Sequence, residues 1–130
     1  MQRLVAHNWR VNMKTDRELL EGGAQAAGYK VHAAHQAMRD ACGAGDAGLW
    51  LVDVATCWNP LIDDGDALRL AVKLRMAMDI GEYGLVAFCG QGLAREVKNE
   101  DIDGDPYAAT RRAIVRASAA MADVPAVGAA

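Results

Sequence analysis

The sequence predicts an α+β fold, a small two-layer domain in which a three- to four-stranded, mainly antiparallel sheet packs against about three helices. Helix-start signals near Thr15, Asp63 and Asp105 precede stretches with helical periodicity, and β-prone segments lie between them. The resulting order is helix, strand, strand, helix, strands, helix. Such an order is typical of a two-layer α+β domain rather than of a βαβ series.

A capping box predicts the first helix. Thr15 stands three residues before Glu18, a spacing at which the hydroxyl and the carboxylate satisfy exposed amide groups at a helix start. Gly28 is well placed to end this helix in the left-handed conformation. Residues 1–12 show no periodicity, so we expect a flexible N-terminal arm, one α+β domain over residues 13–123, and a flexible tail over residues 124–130.

The sheet is predicted from several short β-prone segments. Residues 49–54 form the clearest strand, residues 29–33 are also β-prone, and residues 76–80 and 84–89 are expected to form a second strand pair. For residues 34–48, a hairpin arm and a helical insertion both fit.

Two further helices are predicted from their caps. Asp63 or Asp64 can cap a helix that continues to about residue 76, and its apolar residues cover most of its circumference, so we expect it to be central and mostly buried. Residues 99–105 are interpreted as an acidic loop. Asp105 followed by Pro106 then starts the final helix, with Asp as cap and Pro in the first helical position.

Composition narrows the functional classes. A chain of 130 residues that is 52% hydrophobic can bury one core, and a net charge of −3 disfavours nucleic-acid binding, which depends on neutralising phosphates. Three cysteines at wide spacing are interpreted as reduced thiols. No apolar run approaches the roughly 20 residues that cross a bilayer. We therefore expect no membrane partner and a cytoplasmic location.

No catalytic residue set, cofactor motif or metal site is predicted. The carboxylates near residue 64 fit helix capping better than metal binding, because the sequence shows no further ligands for a cation. Cys57 or Cys89 could act as a nucleophile beside His32 or His35, but a buried structural thiol is the favoured interpretation. The sequence therefore favours a non-enzymatic role.

The candidate binding residues lie around one turn and on the last helix. Trp58 stands in a proline-containing turn, where it either anchors the turn in the core or forms part of a recognition surface. Arg111, Arg112 and Arg116 form a local basic patch or pair with Asp103 and Asp105. The candidate set is Trp58, Asn59, Asp63, Asp64, Asp66, Arg69, Arg111 and Arg112.

Three segments resemble the NinX-like group of small phage and prophage proteins. They are WNPLIDDGDALRLAVKL at residues 58–74, DPYAATRRAIV at residues 105–115, and residues 14–28. Together they cover 43 of the 130 residues, about a third of the chain, in the same order. The resemblance implies an accessory protein made during infection or carried by a prophage, and it supplies no catalytic residue.

The leading functional hypothesis is a phage- or prophage-encoded accessory protein that acts as a non-catalytic protein-binding module in the host cytoplasm. Its partner would be a host or phage protein, and the oligomeric state is left open. The alternative is a module that sequesters a small ligand or nucleotide, with Asp63, Asp66, Arg69 and Arg112 around a pocket. A Cys/His enzyme is the third hypothesis.

Overall fold

The computed structural model describes residues 14–54, 56–80, 85–89, 97–101 and 105–123, and for residues 85–89 and 97–101 it describes the backbone alone. The predicted N-terminal arm and C-terminal tail lie outside the described residues. The helices are α1 (Asp16–Ala27), α2 (Ala33–Ala41), α3 (Asp64–Lys73) and α4 (Pro106–Ala122), with a 3₁₀ helix at Gly45–Ala47. The strands are β1 (Leu49–Trp50), β2 (Cys57–Trp58), β3 (Ala77–Ile80), β4 (Leu85–Cys89) and β5 (Val97–Asp101).

The helix boundaries follow the predicted capping signals. Thr15 and Glu18 form a complete capping box at the start of α1, and Gly28 ends that helix with φ of 77°. Asp63 accepts from the backbone amide of Asp66 at the start of α3. Asp105 caps α4, with Pro106 in its first turn. These predictions are confirmed because capping is local, involving residues two to four positions apart.

The core is formed mainly by helices. Helix α1 lies along α4, and α3 also contacts α4. A β-carbon built on Gly22 would lie 2.9 Å from the β-carbon of Ala119, so the two helices approach closely where neither side chain is large. Fully buried side chains include Leu49, Leu70 and Val115.

The predicted fold class is wrong. The described chain is mainly helical, and its strands form two separate small antiparallel sheets rather than one sheet that supports the helices. Strands β1 and β2 pair over two residues each, and β3, β4 and β5 form the second sheet in that order. The helices bury their apolar faces against each other, so no central sheet separates them.

Several predicted segments also differ in extent. The strand expected at residues 49–54 is limited to β1 and a bridge from Leu51 to Val31, because the chain turns at residues 52–54. The helical alternative for residues 34–48 is correct for α2. The pair predicted at residues 76–80 and 84–89 is present as β3 and β4. The acidic loop predicted from residue 99 is instead partly strand, since β5 pairs with β4.

Candidate functional site

Trp58 is part of the core. Its residue is 5% exposed, and its ring meets Tyr29 edge-to-face with centroids 5.5 Å apart. This geometry is the favoured one for two aromatic quadrupoles and adds to the burial of apolar area. Of the two roles considered for Trp58, the structure places it in the one that anchors the turn.

Asn59 is buried and joins three segments of the chain. Its side-chain Nδ2 donates to the carbonyl of Ala47 at 3.2 Å, and its Oδ1 accepts from the amide of Leu61 at 3.0 Å. Its own backbone amide donates to Oδ2 of Asp66 at 3.0 Å. The polar atoms of Asn59 are therefore used inside the protein rather than offered to a partner.

The acidic cluster at the start of α3 is internally paired. Asp63 Oδ2 accepts from the backbone amide of Asp66 at 2.8 Å, and Oδ1 of Asp66 accepts from Nη2 of Arg69 at 2.9 Å. The hydrogen bond with Asp66 is the main reason why the pKa of Arg69 is raised. Within the described part of the chain, no group of three or more His, Cys, Asp or Glu side chains could hold a metal ion.

Arg111 and Arg112 diverge although they are adjacent in sequence. Arg111 binds the start of α3, through Nε to the carbonyl of Leu61 at 2.8 Å and through Nη1 to Asp64 at 2.7 Å. Arg112 Nη1 donates to Asp16 in the first turn of α1 at 3.1 Å. The two guanidinium groups therefore connect α4 to two different helices rather than forming one surface for an anion.

The observed acidic partners of Arg111 and Arg112 are Asp64 and Asp16. Asp105 accepts from the amides of Tyr107 and Ala108 as the cap of α4, and Asp103 lies outside the described residues. The ion pairs form instead with helix starts that are distant in sequence. Acidic side chains at a helix N-terminus are favourable there, and a cation beside each one neutralises its charge.

The candidate ligand pocket is therefore not assembled as expected. Asp63, Asp66 and Arg69 lie together, but Arg112 is bound at the start of α1. The charges of the first three residues are already paired with each other. This arrangement gives the ligand-binding alternative no set of unpaired charges among these four residues.

A second cluster lies between α2 and the first sheet, and the sequence did not indicate it. The His35 ring packs on Trp50 with centroids 4.3 Å apart, and the guanidinium of Arg39 lies 5.2 Å from the centroid of the Trp50 ring. His35 and Arg39 are four residues apart on α2, so they share one side of the helix. Their spacing would have indicated this cluster only if α2 had been predicted as a helix.

The Cys57 thiol belongs to this second cluster. It donates to the carbonyl of Ala47 at 3.2 Å and accepts from Nη2 of Arg39 at 3.7 Å. The imidazole of His35 packs on Trp50, and Nδ1 of His32 accepts from the backbone amide of His35. These contacts do not include the Cys57–His hydrogen bond that nucleophile activation would use. The side chain of Cys89 lies outside the described residues.

Helix α3 presents apolar side chains to solvent. Leu68 is 57% exposed and Val72 is 67% exposed, while Ala67, Leu70 and Ala71 are buried on the other side of the helix. The prediction that this helix is mostly buried is therefore wrong, because only one of its apolar sides faces the core. We call Leu68 and Val72 the α3 apolar surface.

No protein-family model, curated protein or solved structure matches this chain. Its similarity to the NinX-like group stays a prediction. Among the helices that the structure describes, none has the length and apolar character needed to cross a membrane.

Proposed function

We propose that this chain is a non-catalytic protein-binding module that docks its partner on the α3 apolar surface. The exposure of Leu68 and Val72 is the observation that carries this proposal. The two side chains are four residues apart, so they lie one turn apart on the same side of the helix. Covering them removes apolar area from water, which favours association by about 25 cal/mol per Å² before the costs of binding.

The surroundings of this surface fit docking better than catalysis. Isolated apolar residues on a protein surface are ordinary, but an aligned pair on a rigid helix can fit into a groove of another protein. Asp63, Asp66 and Arg69 are paired at the start of the same helix and hold that end in place. A partner that presents an apolar groove would meet a surface that needs little reorganisation.

The cellular setting proposed here rests on the similarity to NinX-like proteins. On that basis the chain is a phage- or prophage-encoded accessory protein, and its partner is a host or phage protein in the host cytoplasm. Recognition by exposed aliphatic side chains of a helix requires no cofactor and no catalytic group.

Affinity capture with matched variants tests this function. The double variant Leu68→Lys, Val72→Lys places two charges on the α3 apolar surface, and Met38→Lys changes a similarly exposed residue on α2. We expect a partner that the wild type and Met38→Lys retain equally and that the double variant loses by at least tenfold. Equal retention by all three proteins, or no stoichiometric partner for the wild type, contradicts the proposal.

A further inference from the structure

As far as the structure describes the chain, strand β3 is an edge of the second sheet. In the described part of the chain it pairs with β4 alone, and all four of its residues are exposed. Met78 is 40% exposed and Ile80 is 56% exposed. An edge strand carries a row of backbone amide and carbonyl groups that can pair with another strand.

The apolar residues of β3 continue a row that begins in the core. Met76, immediately before the strand, packs against the core, and Met78 and Ile80 follow it at intervals of two residues. Side chains at such intervals share one face of a strand. Helix α4 lies against β4 and β5. The helical layer therefore lies over β4 and β5, while Met78 and Ile80 on β3 stay exposed.

We propose that a second copy of this chain pairs with β3 in antiparallel orientation, which makes β3 the centre of a symmetric dimer. A two-fold interface uses the same surface on both copies, so the uncovered rows of both strands would be buried together. The two sheets would join into one continuous sheet of six strands, counting β3, β4 and β5 of each copy. This inference goes beyond the proposed function and concerns a different surface.

The residues of β3 select one register for this pairing. Residues directly opposite in an antiparallel pair share a face, so only registers centred on a residue keep the apolar rows on the same side. Centring on Met78 or on Asp79 gives three residue pairs within the strand. Centring on Asp79 places two carboxylates directly opposite, which is destabilising. Centring on Met78 instead places Asp79 opposite the small Ala77 of the second copy.

The edge therefore fits a copy of itself in the Met78-centred register. Met78 meets Met78 of the second copy, and flexible thioether side chains pack well against each other. The contact area of one short strand is small, so we expect a reversible dimer that forms as concentration rises through the micromolar to millimolar range.

Sedimentation equilibrium of the full chain tests whether the dimer forms. We expect the average mass of the wild type to rise towards twice the chain mass with concentration. Met78→Lys should remain monomeric, because it places two ammonium groups opposite each other, whereas Val52→Lys, at an exposed residue outside β3, should behave as the wild type. A wild type that stays monomeric, or Met78→Lys that dimerises normally, overturns the proposal.

Disulfide trapping tests the register. Directly opposite Cα atoms are about 4.5–5.5 Å apart, within the about 4.4–6.8 Å that a disulfide spans. In a Cys42→Ser background, Met78→Cys should give a disulfide-linked dimer on mild oxidation. Ala77→Cys should not, because the two Cα atoms at position 77 would be about 8 Å apart. Equal cross-linking at both positions, or none at position 78, overturns the register.

The two tests also separate this inference from the proposed function. Loss of dimer in Met78→Lys should leave partner capture by the α3 apolar surface unchanged. The double variant Leu68→Lys, Val72→Lys should still dimerise.

Discussion

Asn59 shows how one side chain fixes the geometry of a turn. It bonds the carbonyl of Ala47 on one side and the amide of Leu61 on the other, while its backbone amide binds Asp66. Asn59 is only 7% exposed, so water has little access to replace these hydrogen bonds. A buried polar group that loses its partner destabilises the fold, because it has been removed from water without forming a hydrogen bond in return.

Replacing Asn59 with Ala should therefore destabilise the fold. We expect the free energy of unfolding to fall by about 1–3 kcal/mol, because the carbonyl of Ala47 and the amide of Leu61 each lose a hydrogen-bond partner. Urea denaturation of both proteins measures the change. Gln25→Ala, at an exposed position of α1, is the control and should change stability by less than about 0.5 kcal/mol. An equal effect of the two substitutions contradicts this role for Asn59.

At the residue scale, sequence reasoning recognised polar groups that act locally and missed those that act at a distance. The caps at Thr15, Asp63 and Asp105 were predictable because each binds an amide within three residues. The partners of the two arginines were not predictable. Asp16 lies 96 residues from Arg112, and Asp64 lies 47 residues from Arg111. Only the packing of α4 against α1 and α3 brings these charges together.

Helices α1 and α4 approach each other at Gly22. A β-carbon there would lie 2.9 Å from Cβ and 3.1 Å from Cα of Ala119, so part of the obstruction is backbone. In an exposed helix, alanine is favoured over glycine by about 0.5–1 kcal/mol. At Gly22 the packing should reverse this preference, because the helices would have to separate.

The variant Gly22→Ala should accordingly lower stability by about 1–3 kcal/mol. The matched control is Gly65→Ala in α3, where the nearest atoms belong to the side chains of Arg69 and Asp63, both of which are exposed and can move. We expect this control to keep or slightly raise stability. Thermal unfolding of both variants distinguishes them, and a stabilised Gly22→Ala would show that the helices are not in close contact.

Helices α1 and α2 are joined by a salt bridge with a predictable pH dependence. The two terminal guanidinium nitrogens of Arg17, Nη1 and Nη2, each donate to the carboxylate of Asp40 at 3.1 Å. The hydrogen bond from Arg17, supported by one from Gln36, lowers the pKa of Asp40. A lowered pKa in the folded state means that the bridge stabilises the fold above the unfolded pKa of about 4. That stabilisation is lost as the pH falls through the folded pKa.

Asp40→Asn should therefore reduce stability near neutral pH and approach the wild type in acid. Urea unfolding from neutral pH down to about pH 3 measures the difference between the two proteins. Arg17→Met should produce the same trend, and the double variant should add little to either single change because both remove one interaction. A difference that stays constant with pH would exclude Asp40 ionisation as its source.

Two elements, α2 and β5, were not fully predicted because local sequence signals do not determine them. The conformation of the α2 segment was left open in the sequence analysis because the segment is short and polar and makes few apolar contacts. Residues 99–101 of strand β5 were interpreted as loop because Asn-Glu-Asp has little strand propensity. Its strand conformation depends on five residue pairs with β4. Pairing of this kind is tertiary structure, which propensity does not encode.

At the scale of the whole molecule, the predicted fold class was wrong because we expected the β-prone segments to form a sheet at the centre of the core. Residues 49–54 are an almost continuous apolar run, yet Val52 and Val54 are 47% and 58% exposed in the turn that follows β1. Alanine and glycine allow α1 and α4 to approach closely enough to bury most of the core between helices. Both sheets are consequently small and lie at the side of the helical core.

The same assembly determines which residues remain for a partner. Trp58 is buried in the core, and Asn59 is buried in the turn that follows it. The charged candidate residues form ion pairs within the chain. Leu68 and Val72 are left exposed on a helix whose other side is fixed in the core. We therefore propose α3 as the surface for partner recognition, whereas the sequence indicated the Trp58 turn and the last helix.

Site-specific photo-cross-linking in cells that produce the protein tests this proposal most directly. A benzophenone side chain replaces Val72 in one variant and Met38 in a second, both at exposed positions on helices, and adducts are compared after irradiation. The account predicts a discrete adduct from position 72, carrying one partner protein, and none of the same mass from position 38. Position 72 giving no adduct, or the same adducts as position 38, would contradict docking on the α3 apolar surface.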